Sequence, residues 1–171
     1  IRLLMYTNER KAHMCGIAGY YQIHNRQQDD RRTLEQMIHP VKHRGPDGFG
    51  FFVGKGVGLA HARLSIVDLE GGWQPIANED RTIWIVFNGE IFNYPELRKG
   101  LLERGHVFTT HSDTEVILHL FEEKGTDCLS DLNGQFALAI YDSRKQSLFL
   151  ARDRMGIRPL FYTVHNGSFY F

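Results

Sequence analysis

The stretch Ile83-Trp84-Ile85-Val86-Phe87 is apolar at every position, and Phe136 to Tyr141 repeats the pattern. Side chains on a strand alternate between two faces, so a strand that is apolar throughout needs both faces covered. Two such strands argue against a sheet with one wet face and point to stacked sheets with helices outside. Further strand signals run from Cys15 to Tyr21, Phe49 to Val53, Val57 to Ala62 and Leu148 to Ala151. Gly54-Lys55-Gly56 suits a hairpin turn, and Asp142-Ser143 a second turn. That lysine is not part of a phosphate-binding loop, because Gly56 stands where Ser or Thr is needed.

Three helices interleave with these strands. Thr33 and Gln36 form a capping-box pattern ahead of the stripe Leu34, Met37, Ile38, Val41, with a stop near Gly45. Asn93 with Glu96, and Pro95 in the first turn, starts a helix carrying Leu97, Leu101 and Leu102. Ser112 with Glu115 starts a third, whose buried stripe is Val116, Ile117, Leu120 and Phe121 and whose stop is Gly125. The expected total is about seven or eight strands and three helices.

At 171 residues and 42% hydrophobic, the chain suits one domain, or most of one, with a real core. Lys+Arg and Asp+Glu both number 20, so no net charge attracts nucleic acid or anionic lipid, and no apolar run approaches the length of a membrane span. Two cysteines exclude a disulfide scaffold, and with nothing resembling a secretory leader the expected compartment is the cytoplasm. Ile1 and Phe171 both look like limits of a fragment, and residues 1–14 read as a leader or upstream extension before Cys15.

Four local patterns carry chemistry, each with a structural alternative. If Met14 is removed, Cys15 holds a thiol and a free α-amine on one residue. An α-amine of pKa ~7.7–8.0 can take the thiol proton without a histidine; the alternative is a buried strand cysteine. Asn88-Gly89 directly after the buried strand can present a side-chain N–H2 and a backbone N–H to an oxyanion, or form an Asn-Gly turn. Arg63 offers a fork for a carboxylate, or pairs with Asp68. Asp113 can bind an ammonium, or complement the dipole of the Ser112 helix. The nine histidines are scattered. His39 and His43 stand at i, i+4 without the glutamate of a His-Glu-x-x-His site, His43 and His106 read as surface or loop residues, and Cys15 and Cys128 show no ligand spacing. No metal site is expected.

In combination the patterns are more specific. Met14-Cys15-Gly16-Ile17-Ala18-Gly19, His43-Arg44-Gly45-Pro46-Asp47, Arg63-Leu64-Ser65-Ile66-Val67-Asp68, Phe87-Asn88-Gly89-Glu90-Ile91-Phe92-Asn93-Tyr94, Ser112-Asp113-Thr114-Glu115 and Arg152 to Leu160 follow in one order. From Cys15 to Phe171 the chain resembles the class II glutamine amidotransferase domain of glutamine-hydrolysing asparagine synthetases. It resembles the glucosamine-phosphate synthase and phosphoribosyl-amidotransferase branches less.

The resemblance implies an α+β fold of the N-terminal nucleophile hydrolase type, a four-layer αββα sandwich, here truncated at its C-terminal end. It implies Cys15 as nucleophile and, through its freed amine, base, with Asn88 and Gly89 as oxyanion hole. Arg63 would hold the glutamine carboxylate, Glu90 and Asp113 its α-ammonium, and Leu64, Ser65, Ile66 and Val67 would line the pocket. Glutamine would become glutamate and ammonia through a γ-glutamyl thioester, with ammonia passing to a synthetase domain that amidates aspartate. This half would need no cofactor; ATP and Mg2+ belong to the synthetase domain, whose Ser-Gly-Gly-x-Asp-Ser loop is absent here. A homodimer stays open, as do a different acceptor and a catalytically silent scaffold in which Cys15 is never freed. Translation starting at Met14, with removal of that Met before a small residue, is the expected route to a free Cys15.

Overall fold

A computed structural model describes residues 14–23, 30–64 and 72–171. The expected extension before Met14, and Ser65, Ile66, Val67 and Asp68, lie outside the described residues. Strand β1 (Gly16–Gln22) pairs antiparallel with β3 (Val57–Arg63), which forms a hairpin with β2 (Gly48–Gly54) around the expected Lys55-Gly56 turn. β4 (Ile76–Ala77), β5 (Ile83–Ile91), β6 (Gly134–Asp142) and β7 (Ser147–Arg152) make a second antiparallel sheet in that order. The chain then returns to the first sheet with β8 (Thr163–His165) and β9 (Ser168–Tyr170), giving the order β2-β3-β1-β9-β8. The short β4 and β8 lie beyond the strands expected from apolar runs, because two or three residues carry no periodicity.

Three separate apolar clusters divide four layers. Helix α1 (Arg31–Ile38) sets Leu34 and Ile38 on Ala18, Tyr20, Ala60 and Ala62 of the first sheet. Small residues are needed there: a Cβ on Gly58 would meet Tyr20 at 2.5 Å and Leu34 at 3.0 Å. Between the sheets, Val57 and Leu59 meet Val86, Ala139 and Tyr141, and Phe52 stacks on Trp84 at 4.2 Å. Outside the second sheet, α2 (Tyr94–Glu103) and α3 (Asp113–Lys124) set Leu101, Ile117 and Leu120 against Ile85, Phe87, Leu138 and Ile140. The two strands without alternation, β5 and β6, are the ones covered on both faces, which is the expected αββα sandwich.

Helix ends show where local reading failed. Asp30, not Thr33, caps α1, because a carboxylate serves two donors at once: the Arg32 N–H at 2.9 Å and the Thr33 hydroxyl at 2.7 Å. Asn93 sits at the start of α2, yet its side chain spans to Asp131 O and Asn133 N, both at 2.9 Å. Leu102 is 49% exposed, since one residue beyond Leu101 the helix has turned through about 100°. Ser112 caps α3 as expected, but Glu115 reaches outward to the N–H and hydroxyl groups of Thr109 and Thr110 and leaves the capping box open. Residues His39–Arg44 form a 3-10 segment, so His39 and His43 no longer share the face that α-helical spacing implied. Among the described residues no helix is long and apolar enough to cross a membrane.

Leu59 is fully buried between the sheets. Leu59→Ala is expected to lower unfolding stability by about 2–5 kcal/mol, read as a reduced urea midpoint at unchanged m-value. A cost below that range would mean the two sheets do not share this core.

Candidate active site

The inter-sheet layer ends in a cleft, and strand register decides which side chains reach it. Pairing of Gly16 with Ala62 carries Cys15 to the side of Arg63, although 48 residues separate the two (63 − 15). Val57 and Leu59 face the inter-sheet core, so alternation sends His61 and Arg63 the same way. Val86 does likewise on β5, which sends Asn88 and Glu90 toward the first sheet. Cys15, Arg63, Leu64, Asn88, Gly89, Glu90 and Asp113 all line this one cleft.

The Cys15 sulfur accepts the Leu64 N–H at 3.3 Å, and Arg44 Nε donates to the Cys15 carbonyl at 3.3 Å. Burial pushes the thiol pKa up; the Leu64 N–H and the Arg63 charge oppose this without cancelling it, and Asp113 adds to the rise. Cys15 therefore rests as a thiol and needs a base to become a nucleophile. Cys128 is buried beneath α3, where burial and then Asp131 and Asp127 push its pKa up to about 11. Of the two thiols only Cys15 can meet a ligand in this cleft.

One edge of β5 builds the donor site. The N–H and C=O of Phe136 turn to Asp153 on the β7 side of β6. The register Gly89↔Phe136 therefore turns the Gly89 N–H away from β6, together with those of Phe87 and Ile91. Gln74 Oε1 takes the Phe87 N–H at 2.6 Å and Asp113 Oδ2 takes the Ile91 N–H at 3.0 Å. The Gly89 N–H lies between them at the cleft wall. The strand runs unbroken from Ile83 to Ile91, which corrects the Asn-Gly turn alternative: cross-strand pairing overrides the dipeptide. Glycine at 89 is also a packing requirement, since a Cβ would meet Gln135 O at 2.2 Å.

Charge is separated across the cleft. Arg63 is buried, with its guanidinium 4.5 Å over the Trp73 ring. The alternative partner Asp68, and the expected lining residues Ser65, Ile66 and Val67, lie outside the described residues. Opposite stand Glu90 and Asp113. Burial raises the Asp113 pKa, the Ile91 and Thr114 N–H groups lower it, and repulsion from Glu90 raises it further. Asp113 thus serves both readings, helix start and cleft wall. An α-amino acid fits this polarity, with its carboxylate on Arg63 and its ammonium relieving the carboxylate pair.

Several cleft residues escaped sequence reasoning. His61 is held neutral, its pKa pushed down to about 3 by burial, so it forms floor and not base at neutral pH. Gln74 bridges Phe87 and Thr114, whose hydroxyl accepts at 3.2 Å. Arg158 reaches the cleft and contacts the Met14 sulfur. Asp153 sets that loop by accepting the N–H groups of Phe136 (3.1 Å), Ile157 (2.9 Å) and Arg158 (3.0 Å). The Arg152–Leu160 motif was the one available signal for Asp153 and Arg158. Among the described residues, the group of His and Glu side chains close enough to share a metal ion lies elsewhere, at His106, His119 and Glu122.

Comparison with known proteins identifies the family. The glutamine amidotransferase domain family matches residues 14–171. The chain is 44% identical over 160 residues to a glutamine-hydrolysing asparagine synthetase of Bacillus subtilis, covering 92% of this chain and 25% of that protein. It is 43% identical to asparagine synthetase B of Escherichia coli over 86% of this chain and 26% of that one. The chain thus spans about a quarter of the length of these relatives. The solved glutamine phosphoribosylpyrophosphate amidotransferase of B. subtilis shares the fold, with a TM-score of 0.71 at 21% identity over 90% of this chain and 40% of that one.

Burial works to raise the Asp153 pKa, but the Arg158, Ile157 and Phe136 N–H groups outweigh it and hold the carboxyl below its usual range. A lowered folded pKa stabilises above the ordinary value of ~3.9 and loses that stabilisation as pH falls through the folded value. Asp153→Asn is expected to cost about 1.5 kcal/mol at neutral pH through weakened charge-assisted hydrogen bonds. Chemical denaturation between neutral pH and pH ~3 should show the gap to wild type closing; a gap independent of pH would refute the carboxylate clamp.

Proposed function

The chain belongs to the glutamine amidotransferase domain family, and from that premise we propose that it is the glutaminase half of a glutamine-hydrolysing asparagine synthetase. The observation that carries this reading is the convergence of the Cys15 thiol, the Asn88-Gly89 donors and the Arg63/Glu90/Asp113 polarity in one cleft. Arg63 takes the glutamine α-carboxylate by its fork, and Glu90 with Asp113 takes the α-ammonium. Leu64 lines the same cleft.

The free α-amine of Cys15 accepts the thiol proton as sulfur attacks the side-chain carboxamide carbon. Negative charge gathers on the carboxamide oxygen, and the Gly89 N–H and the Asn88 N–H2 donate to it. Collapse expels ammonia, protonated by the same amine, and leaves a γ-glutamyl thioester. The amine then activates water to release glutamate. A thiol resting above its ordinary pKa makes that base indispensable.

A second hollow shares Cys15 and Asn88 with the glutamine cleft and is lined mainly by apolar groups, among them Ile17, Val41, Leu160 and Phe161. In the proposed reaction it is the exit for ammonia from Cys15. The nearby exposed Met155, Ile157, Phe161 and Tyr162 supply apolar surface for an ammonia-accepting synthetase domain. ATP, Mg2+ and the aspartate acceptor belong to that domain; the glutaminase half uses no cofactor. Two free thiols support a cytoplasmic setting.

Protein beginning at Cys15 is expected to release ammonia from glutamine, and Cys15→Ala to abolish release. Ammonia formation surviving in that variant would refute the mechanism. Asn88→Ala is expected to lower kcat by about 10²–10³ with a smaller effect on KM, because its donor acts on the transition state. Chain that keeps Met14 bonded to Cys15 should lose at least the ~10²–10⁴ contributed by a general base. Intact-mass measurement of the native protein distinguishes the two forms; a retained Met14 in a protein without glutaminase activity would favour the silent scaffold.

A further inference from the structure

The helical layer outside the second sheet holds a second constellation. Gly105, with φ +95°, ends α2 and folds the chain back, the His106 N–H returning to Leu101 O at 3.1 Å. That reversal lays His106 against α3, where His119 and Glu122 share one face at i, i+3. His106 Nδ1 and His119 Nδ1 lie 3.2 Å apart, His119 Nδ1 and Glu122 Oε2 2.8 Å, and His106 Nδ1 and Glu122 Oε2 3.9 Å. We propose that His106, His119 and Glu122 form a binding site for a divalent transition-metal ion of the zinc class, joining the segment after α2 to α3.

Three features carry the assignment. Ligands ~2.0–2.1 Å from a tetrahedral ion stand about 3.3 Å from one another. The three separations here scatter around that edge. The outward atoms of His106 and Glu122 are also engaged. His106 Nε2 meets Glu123 Oε1 at 3.0 Å, which places the ring proton on Nε2 and leaves the Nδ1 lone pair facing inward. Asn78 Nδ2 donates to Glu122 Oε1 at 2.7 Å and so leaves Oε2 as the metal-facing oxygen. The buried His119 Nε2 makes no hydrogen bond and points toward Glu115 Oε1 at 3.8 Å, while Phe108 packs edge-on against the ring at 4.6 Å. Third, two imidazole nitrogens at contact distance can hold only one proton between them, whereas an ion uses both lone pairs. Glu79 and Arg104 border the fourth, solvent-facing side. Glu79, Glu115 and Glu123 favour a cation, and Arg104 is already paired to Glu123 at 2.7 Å.

Two histidines and one carboxylate with an open fourth position form a ligand set for zinc. Its distance in sequence from Cys15 and its place between α3 and the segment that follows α2 make it a clip on the fold. It takes no part in the thiol chemistry, so it stands or falls independently of the glutaminase reading.

The test is Zn2+ binding to the full chain carrying Cys15→Ala, which removes a competing thiol, followed by titration calorimetry and bound-metal analysis, with Co2+ as a spectroscopic stand-in. One equivalent of Zn2+, a tetrahedral Co2+ visible spectrum and a rise in Tm are expected. His119 is buried and its replacement risks the fold, so His106→Ala is the diagnostic variant and should weaken binding at least about 100-fold. Glu123→Gln should weaken it by roughly 10–100-fold through the His106 ring proton, and His43→Ala should leave it unchanged. Absence of stoichiometric binding, or binding that His106→Ala leaves intact, would overturn the site.

Discussion

Antiparallel pairing between β1 and β3 determines where the thiol can be. Gly16 lies opposite Ala62, so the residue before β1 and the last residue of β3 end side by side. The pairing depends on close approach on the far side of both strands. A Cβ on Gly45 would strike the Ala62 carbonyl at 2.2 Å, and one on Gly16 would meet Val41 at 3.0 Å. A slip of one residue would turn Arg63 and His61 toward α1 and send Ala62 into the cleft. The Cys15 sulfur, held by the Leu64 N–H, would then lose both its donor and its cation. The buried core and the position of the Cys15 thiol are therefore specified by the same hydrogen-bonded ladder.

The second sheet contributes through an edge. β4 covers only the start of β5, with Ile76 opposite Ile85, so the N–H groups farther along face the cleft instead of another strand. Bare donors in a partly buried wall are costly. The chain meets that cost at Phe87 with Gln74 and at Ile91 with Asp113, and the Gly89 N–H lies between these two bonds. Asp113 is thus tied at once to the strand edge, to the start of α3 and to the repulsion of Glu90. The Asp113 carboxylate, which would gain from an ammonium, is held by a bond to the same strand edge that carries the proposed oxyanion donors. In the proposed reaction, recognition of one end of glutamine and polarisation of the other would share a rigid support.

The sandwich was legible because burial on both faces leaves a direct mark on a strand, as in Ile83 to Phe87 and Phe136 to Tyr141. The hairpin at Lys55-Gly56 and the cap at Ser112 were legible for the same local reason. What escaped depended on partners distant in sequence. Thr33 has the form of a cap, but Asp30 outcompetes it with two oxygens. Asn93 looks like a helix start, yet its amide bridges to residues near 131–133. Among the cleft residues, Cys15, Arg63, Asn88, Gly89 and Asp113 were singled out, each with a bland alternative when taken alone, and Glu90 followed from the ordered set of motifs. Gln74, His61 and Arg158 were not, because a glutamine that caps a strand edge or a histidine on a cleft floor has no short-range pattern. His106, His119 and Glu122 were invisible for a related reason: a left-handed glycine brings the first onto the helix of the other two.

Burial of the thiol explains why the nitrogen of Cys15 matters more than any neighbouring side chain. A cysteine set at the end of a packed layer gains positioning and loses acidity, since desolvation penalises the thiolate more than Leu64 and Arg63 repay. The one imidazole on the cleft lining, His61, is itself driven to the neutral form and stands beside a guanidinium that disfavours its protonation. Glu90 and Asp113 repel each other, and Asp113 already accepts the Ile91 N–H. No side chain on the described lining is both free and suitably basic near neutral pH. An α-amine carried by the same residue meets the requirement without a further buried charge, because its ordinary pKa already lies near that range. While Met14 remains attached, the nitrogen is an amide and the cleft has a nucleophile without a base.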